Sequence, residues 1–378
     1  MTDYPILTWK EARITHSVRW RSESGLPPPK RVIVVDDTLK ADAAYHHACE
    51  GTAMLWRGDF QNAKMLLQAI ARRVDNRARA ARKAEAVPFP QAFHLHRQAQ
   101  AQRARTLGML LIPFDAGHTI SLGRAPDVQL ACDEVYGAAT EPYVTSLREL
   151  LGIIGAREWR KTGIDIAATG GRIHPHYGVF APVRSEYVQL VELAPLPSTT
   201  LAFDIGTGTG VLAAALARKG VARVIATESD ARALACAREN ILQLGLSDRV
   251  EVVQSNLFPE NRAPLIVCNP PWIPSRPSSP LEHAIYDFES RMLRNFLDGL
   301  AAHLTPAGEG WLILSDIAEH LGLRTRAELL AWIEKAGLKV LGKTDIKPKH
   351  PRTADASDPL HKARAAEVTS LWRLAAMG

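Results

Sequence analysis

The stretch that decides the fold of this chain is Thr200-Leu201-Ala202-Phe203-Asp204-Ile205-Gly206-Thr207-Gly208-Thr209-Gly210. Its first four residues predict a short buried strand, and an apolar helical pattern begins directly after the last glycine. Glycines at such a turn let the backbone bend sharply and approach a ligand closely. The helix N-terminus adds unpaired amides and the positive end of a dipole. The stretch therefore predicts a strand, a turn and a helix that bind a nucleotide-like ligand.

The spacing of the glycines narrows the choice of ligand. A dinucleotide-binding turn has the pattern Gly-x-Gly-x-x-Gly, which would need a glycine at the position of Val211. The spacing here is Gly-x-Gly-x-Gly. Glu228 ends the next predicted strand, where a carboxylate can accept hydrogen bonds from both hydroxyls of a ribose. These two features leave a dehydrogenase and a methyltransferase both open.

Short β-rich runs alternate with helical runs around this turn. The strand candidates are 200–203, 223–227, 250–254, 265–268 and 311–315. The helix candidates are 211–219, 231–244, 281–303 and 324–336. This alternation predicts an α/β fold with a Rossmann-like, doubly wound parallel sheet. Two final strand-like runs, 338–346 and 368–374, predict an antiparallel hairpin at the edge of the sheet.

A second motif follows the fourth predicted strand and is Asn269-Pro270-Pro271-Trp272. Consecutive prolines fix the backbone and remove amide donors, so carbonyl oxygens are presented to a guest. The motif lies at the carboxyl end of a strand, which is where doubly wound sheets bind ligands. A proline-rich turn without function is the alternative. The position of the motif in the strand order favours a site that accepts an amino group.

With these two motifs, the chain resembles the class I S-adenosylmethionine-dependent methyltransferases. Within them it resembles the amino-methylating branch, which has an Asn/Asp-Pro-Pro-aromatic motif. The resemblance covers roughly residues 178–374. The segment 178–186 is also similar to the segment before the cofactor turn in release-factor glutamine methyltransferases and their nucleic-acid-modifying relatives. The resemblance implies S-adenosylmethionine as the cofactor.

The resemblance also implies which residues bind the cofactor: Asp204, Gly206, Thr207, Gly208, Gly210, Glu228 and Asn256. Asn256 stands where the family often has an aspartate that holds the adenine amino group. An asparagine side chain still offers a carbonyl acceptor for that group. No metal is expected, because the pairs His94/His96 and His174/His176 lack cysteines or carboxylates in register.

The implied catalytic residues are Asn269, Pro270, Pro271 and Trp272. Their acceptor would be a planar amino or amide nitrogen, whose delocalised lone pair is a weak nucleophile. The resemblance implies that the Asn269 side-chain oxygen and the Pro270 carbonyl accept its two N–H groups, while Trp272 stacks on the planar group. Orientation and fixed dipoles would then promote transfer without a covalent enzyme intermediate. A base in a duplex or a folded RNA must first be flipped out.

The chain has 378 residues, which exceeds one average domain and predicts two. We expect a substrate-recognition domain over 1–177 and the methyltransferase domain over 178–378. A strand at 31–35 and helices at 62–74 and 147–159 indicate a mainly helical first domain. The composition is typical of globular proteins, with 46% hydrophobic and 23% charged residues.

The net charge of +6 is concentrated in one segment of the predicted first domain. Between Arg57 and Lys83 lie two acidic residues and eight basic ones: Arg57, Lys64, Arg72, Arg73, Arg77, Arg79, Arg82 and Lys83. A second basic stretch runs from Lys343 to Arg364. Such segments either attract a polyanion or form a solvated surface. They favour a nucleic-acid partner, RNA before DNA.

Three functions remain open on the sequence: a methyltransferase for a nucleic-acid base, a methyltransferase for a protein glutamine or similar amide, and a binding module that keeps the fold without catalysis. Gly-x-Ser-x-Gly and P-loop motifs are absent, so hydrolases and kinases are not favoured. The four cysteines form no Cys-x-x-Cys pair, which fits a cytoplasmic protein. No apolar run is long enough to span a bilayer, so no membrane partner is expected.

Overall fold

The computed structural model describes residues 4–81, 87–348, 355 and 358–377, with only the backbone of 79–81 and of 280. The chain divides into two compact units, Met1–Glu158 and Trp159–Gly378. The boundary expected near residue 177 lies later than this division, because the intervening segment is bonded to the second unit. The His174 amide donates to Asn240 Oδ1 at 2.7 Å, and His176 Nε2 lies 2.7 Å from Glu239 Oε2.

The first unit is built on a six-stranded mixed sheet. Its strands are β1 (Ile6–Glu11), β2 (Ile14–Trp20), β3 (Arg31–Val35), β4 (Thr52–Trp56), β5 (Leu110–Phe114) and β6 (Tyr143–Ser146). The sheet order is β1-β2-β6-β5-β4-β3, with parallel pairs β3–β4, β4–β5 and β2–β6. The helices of this region are α1 (Ala41–Cys49), α2 (Phe60–Ala81), α3 (Gln91–Leu107), α4 (Gln129–Tyr136) and α5 (Leu147–Thr162).

A central sheet accompanies the expected helices of the first unit. Helical residues outnumber strand residues there, as expected of a mainly helical region, but of the six strands the sequence predicts only β3. Strand β4 is buried at all five positions and β5 at four. A fully buried strand is a continuous apolar run, and periodicity alone cannot separate such a run from a buried helix segment. The first unit is therefore an α/β unit.

The second unit contains the predicted doubly wound sheet. A small hairpin, β7 (Ile164–Ile166) and β8 (Gly171–Ile173), precedes it. The sheet strands are β9 (Leu201–Ile205), β10 (Arg223–Glu228), β11 (Val250–Gln254), β12 (Ala263–Cys268), β13 (Leu304–Ser315), β14 (Leu338–Ile346) and β15 (Thr369–Ala376). Their order is β11-β10-β9-β12-β13-β15-β14. The first five are parallel, and β15 pairs antiparallel with β13 and β14, which confirms the terminal hairpin.

Helices cover this sheet on both faces. They are α6 (Glu186–Leu193), α7 (Val211–Arg218), α8 (Ala231–Gln243), α9 (Arg291–His303), α10 (Ile317–His320), α11 (Arg326–Lys335) and α12 (His361–Ala366). Alternate residues of β12 belong to two apolar clusters, one containing residues of α6, α7 and α8 and the other residues of α9 and α11. Successive strand side chains point to opposite faces, so each cluster fills one face of the sheet.

One predicted helix of this unit is shorter than expected. The pattern at 281–303 predicts a single helix, but α9 begins only at Arg291. The two residues before it, Glu289 and Ser290, have φ of 58° and 52°, which interrupts any helical path from residue 281. Among the described residues, no helix has the length and apolar character needed to cross a bilayer.

Candidate functional site

The glycine turn joins β9 to α7 at the point where the strand order reverses, which is the ligand-binding crevice of a doubly wound sheet. Gly206, Gly208 and Gly210 have φ of 70°, 58° and 82°, the left-handed region that favours glycine. A Cβ at Gly206 would lie 2.6 Å from Met292 Cε, whereas a Cβ at Gly208 would meet no atom within 4 Å. The turn is thus packed at its start and open at its middle glycine.

Asp204 is the buried carboxylate at the start of this turn. Its Oδ2 accepts hydrogen bonds from Thr207 Oγ1 at 2.6 Å and from the Ala213 amide at 3.0 Å. Its Oδ1 is buried and has no hydrogen-bond partner among the residues that the structure describes. Burial raises the pKa of this carboxyl group to about 6. A buried acceptor without a partner is costly, so Oδ1 fits a donor supplied by the cofactor.

Glu228 lies at the end of β10 and binds the same turn. Its Oε2 accepts the Gly208 amide at 3.0 Å. Its Oε1 accepts the amides of Ser229 at 2.8 Å and Asp230 at 3.1 Å. A carboxylate has about four lone-pair positions, so three of them are used and capacity remains for a hydroxyl group. The remaining position fits a contact to one of the two ribose hydroxyls that the sequence predicted, and Glu228 also supports the turn.

Asn256 lies in the turn that follows β11 and its side chain is exposed. The amide of the preceding residue, Ser255, donates to the Glu228 carbonyl oxygen at 3.1 Å. This bond places the turn containing Asn256 beside the end of β10. The predicted cofactor residues thus come from the ends of three neighbouring strands of the sheet: β9, β10 and β11.

The tetrapeptide Asn269-Pro270-Pro271-Trp272 follows β12. Pro270 is buried, and the other three residues are half-buried. The Trp272 indole Nε1–H donates to Asn269 Oδ1 at 2.9 Å. The sequence suggested only a stacking role for Trp272, so this hydrogen bond is an additional feature of the site.

The two motifs begin at adjacent strand ends. Strands β9 and β12 are parallel neighbours, and Ile205 is paired with Cys268. Gly206 directly follows Ile205 and Asn269 directly follows Cys268, on neighbouring strands that are about 4.8 Å apart. The sheet thus brings the predicted cofactor turn and the predicted catalytic tetrapeptide to one place.

Asn240 is a residue of this site that the sequence interpretation missed. It is fully buried on α8, and its Nδ2 donates to the Thr209 carbonyl at 3.0 Å. Its Oδ1 accepts the His174 amide at 2.7 Å. A buried asparagine side chain thereby connects the glycine turn to the segment before it. The signal was available, because an asparagine on the apolar face of a predicted helix needs partners.

Asp287 is a second residue that was missed. Its amide donates to the Ile273 carbonyl at 2.9 Å, which closes the loop that follows the tetrapeptide. Its carboxylate accepts the amides of Met292 at 3.0 Å and Leu293 at 3.1 Å, which are the first turn of α9. Burial raises the pKa of Asp287. A lone aspartate in a long loop gives no sequence signal of such a role.

In both histidine pairs, a ring nitrogen lies close to a polar group of another residue. His174 Nδ1 lies 2.6 Å from the Arg160 carbonyl oxygen, and His176 interacts with Glu239. His96 Nε2 on α3 lies 2.8 Å from Gln100 Nε2. In the described parts of the chain, no three His, Cys, Asp or Glu side chains come together as a metal site would require.

Comparison with known proteins gives the following similarities. The family model of the methyltransferase small domain matches residues 171–326. A tRNA1(Val) (adenine(37)-N6)-methyltransferase of Bacteroides fragilis is 32% identical over 172 residues, which is 41% of this chain and 72% of that protein. A release factor glutamine methyltransferase of Cereibacter sphaeroides is 32% identical over 170 residues, covering 41% of this chain and 58% of that protein.

Solved structures show similarity as well. A methyltransferase from Pyrococcus furiosus has a TM-score of 0.39 and 22% identity, and the match covers 61% of this chain and 98% of that one. The chain spans less than two thirds of the length of the first curated relatives that it matches.

Proposed function

We infer the activity of this protein from one premise: the chain belongs to the S-adenosylmethionine-dependent methyltransferases that contain a methyltransferase small domain. S-adenosylmethionine is accordingly its cofactor, as the sequence predicted. The proposed activity is transfer of the methyl group to a planar amino nitrogen of a nucleic-acid base, with RNA as the favoured substrate. The observation that carries this proposal is the Asn269 side-chain oxygen, held at the end of β12 beside the glycine turn.

The proposed cofactor-binding residues are those around the turn whose polar atoms can accept a further hydrogen bond. The Asp204 Oδ1 atom, the Glu228 carboxylate and the Asn256 carboxamide would hold the cofactor, with Gly208 leaving space for its close approach. When bound, the cofactor supplies a methyl group made electrophilic by its sulfonium.

The tetrapeptide residues act on the acceptor nitrogen. Asn269 Oδ1 and the Pro270 carbonyl accept its N–H groups, which orients the amino group and increases the electron density of its lone pair. The lone pair would accept the methyl group that the cofactor supplies, with the sulfur leaving as a neutral thioether, and the nitrogen would then release one proton to water. Asn269 and Pro270 contribute fixed dipoles that need no reorganisation during the reaction.

Of the curated relatives described above, the one with the larger share of its length covered by this chain is named for a tRNA adenine. This similarity favours nucleic acid over protein as the substrate. The basic segment supports the same choice, although less of it is available than the sequence suggested. Arg73 Nε bonds Asp42 Oδ1 at 2.7 Å, so an acidic partner already occupies it. Arg77 is exposed, and its hydrogen bond to Tyr45 raises its pKa, so it keeps its positive charge. Arg72 is exposed on α2.

Part of this basic segment lies outside the described residues, namely Arg82, Lys83 and the Arg79 side chain. In the second basic stretch, Lys349 and Arg352 also lie outside them. We therefore propose a phosphate-binding face formed by Arg72 and Arg77, which are both exposed on α2.

Cofactor affinity is expected to fall as the pH drops below about 6. The pKa of Asp204 is about 6 in the free protein, and a donor bound at Oδ1 needs the ionised carboxylate, so binding lowers that pKa. Below it, each pH unit should weaken binding by up to about tenfold, and above it affinity should be constant. Calorimetry between about pH 5 and 8 measures this dependence. Asp204→Asn should lose it, and an unchanged slope in that variant would refute the assignment.

Changing Arg72 and Arg77 to glutamate is expected to weaken RNA binding and to flatten its salt dependence. Each lost phosphate contact should reduce the slope of log affinity against log salt by about 0.7 to 0.9. Binding is measured by fluorescence anisotropy at several salt concentrations. The control is Arg223→Glu, which reverses an exposed charge on β10. Equal slopes in the double variant and the parent would dismiss the phosphate face and favour a protein amide as the substrate.

A further inference from the structure

The hydrogen bond between Trp272 and Asn269 determines how the Asn269 carboxamide is turned. An indole N–H can only donate, so the carboxamide atom 2.9 Å from it must be the oxygen. A carboxamide rotated by half a turn would present its NH₂ group there, and two donors would face each other. The oxygen has two lone pairs, and the indole uses one of them. The other lone pair remains for an N–H of the acceptor.

The indole is itself held by a charged group. The guanidinium carbon of Arg184 lies 5.9 Å from the centroid of the Trp272 ring, within the range of a cation–π interaction. Arg184 Nη2 bonds Glu367 Oε1 at 3.2 Å, and Ser315 Oγ donates to the same oxygen at 2.8 Å. The Glu367 side chain is only 3% exposed, so this ion pair is protected from solvent on the acidic side.

These contacts join separate parts of the second unit. Arg184 lies just before α6, Ser315 is the last residue of β13, and Glu367 lies just before β15. Strands β12, β13 and β15 are successive neighbours in the sheet. Glu367, which bonds Arg184, and Ser315, which bonds Glu367, therefore lie at the strand ends next to the one that carries Asn269.

We propose that Glu367 and Arg184 are positioning residues that act through Trp272 to preset the Asn269 carboxamide with its oxygen toward the acceptor nitrogen. This proposal rests on the proposed function of Asn269. It also explains why tryptophan stands at residue 272: phenylalanine has no donor, and a tyrosine hydroxyl would lie at a different place on the ring. Presetting matters because a freely rotating carboxamide would present its donors to the acceptor N–H for part of the time.

The indole N–H of Trp272 gives a direct test that needs no substrate. Two-dimensional ¹H–¹⁵N NMR resolves indole resonances, and Trp272→Phe identifies the one that disappears. Asn269→Ala and Glu367→Gln are both expected to move that resonance, with the larger change in Asn269→Ala. Arg184→Lys, which keeps the positive charge, should move it less than Arg184→Gln. The control Arg223→Gln removes another Arg–Glu pair of the same unit and should leave it in place.

Kinetics provides the second arm of the experiment. Trp272→Phe keeps an aromatic ring and should lower kcat about tenfold, with KM and the Kd of S-adenosylmethionine within about twofold of the parent. Trp332→Phe, a ring on α11, should leave kcat unchanged. A Trp272 resonance that does not respond to Asn269→Ala, or a Trp272→Phe variant with parental kcat, would overturn the proposal. If the parent methylates no base, the proposed function fails, and the NMR result still decides whether the carboxamide is preset.

Discussion

Asn269→Ala is expected to lower kcat by about a hundredfold or more and to leave the Kd of S-adenosylmethionine within about twofold of the parent. Asn269 Oδ1 acts on the acceptor nitrogen, and in the described structure it accepts a hydrogen bond from the Trp272 indole. Its loss should therefore remove an interaction that strengthens as positive charge develops on the nitrogen. Single-turnover methylation of RNA measures the rate, and calorimetry measures the cofactor affinity.

Asn256→Ala is the matched control for this variant. It makes the same substitution at an exposed asparagine on the cofactor side, so it should weaken cofactor binding and leave the rate at saturating cofactor unchanged. The amino-group mechanism would be wrong if Asn269→Ala methylated the substrate at the parental rate. A loss of cofactor affinity in Asn269→Ala would indicate that its effect is structural.

Glu228→Ala is expected to weaken cofactor binding by about 1–3 kcal/mol, which corresponds to roughly fivefold to 160-fold in Kd. The carboxylate would lose its bond to a ribose hydroxyl, and the Gly208 amide would lose the acceptor that holds the turn. Calorimetry and the melting temperature separate these two effects, because only the second reduces the stability of the free protein.

Two further variants test the ribose assignment. Glu228→Gln keeps one acceptor oxygen and should give an intermediate Kd. Glu251→Ala removes an exposed carboxylate from the adjacent strand β11, where it pairs with Arg223, and should bind the cofactor normally. Parental affinity in Glu228→Ala would mean that another residue holds the ribose.

The fold of the second unit was predictable because its local signals agree with each other. Gly206, Gly208 and Gly210 need left-handed backbone, and the observed dihedral angles have it. The first unit offered weaker signals. The two-residue turn between β1 and β2 contains Ala12 and Arg13 at φ of 47° and 69°, and neither residue type indicates such a turn. That hairpin depends on the packing of the strands and could not be found from its turn.

The site was predictable where it consists of contiguous motifs. Asn269 and Trp272 are neighbours in the chain, so their residue types and spacing carried the inference. Arg184 and Glu367 are separated by most of the second unit, and only the sheet brings them into contact. A charge count along the sequence does not show which basic side chains are already paired. Arg73 belongs to the basic segment, and Asp42 on α1 pairs with it in the structure.

The central claim is methyl transfer from S-adenosylmethionine to an exocyclic amino group of an RNA base. In the direct measurement, the purified protein is incubated with S-adenosylmethionine labelled on its methyl group and with RNA and proteins extracted from cells that lack this protein. Mass spectrometry of nucleosides and tryptic peptides then locates the label. The label is expected on the exocyclic nitrogen of a methylated base, and no labelled base should form with Asn269→Ala. Label confined to glutamine peptides, label on carbon or oxygen, or no label in either fraction would contradict the claim.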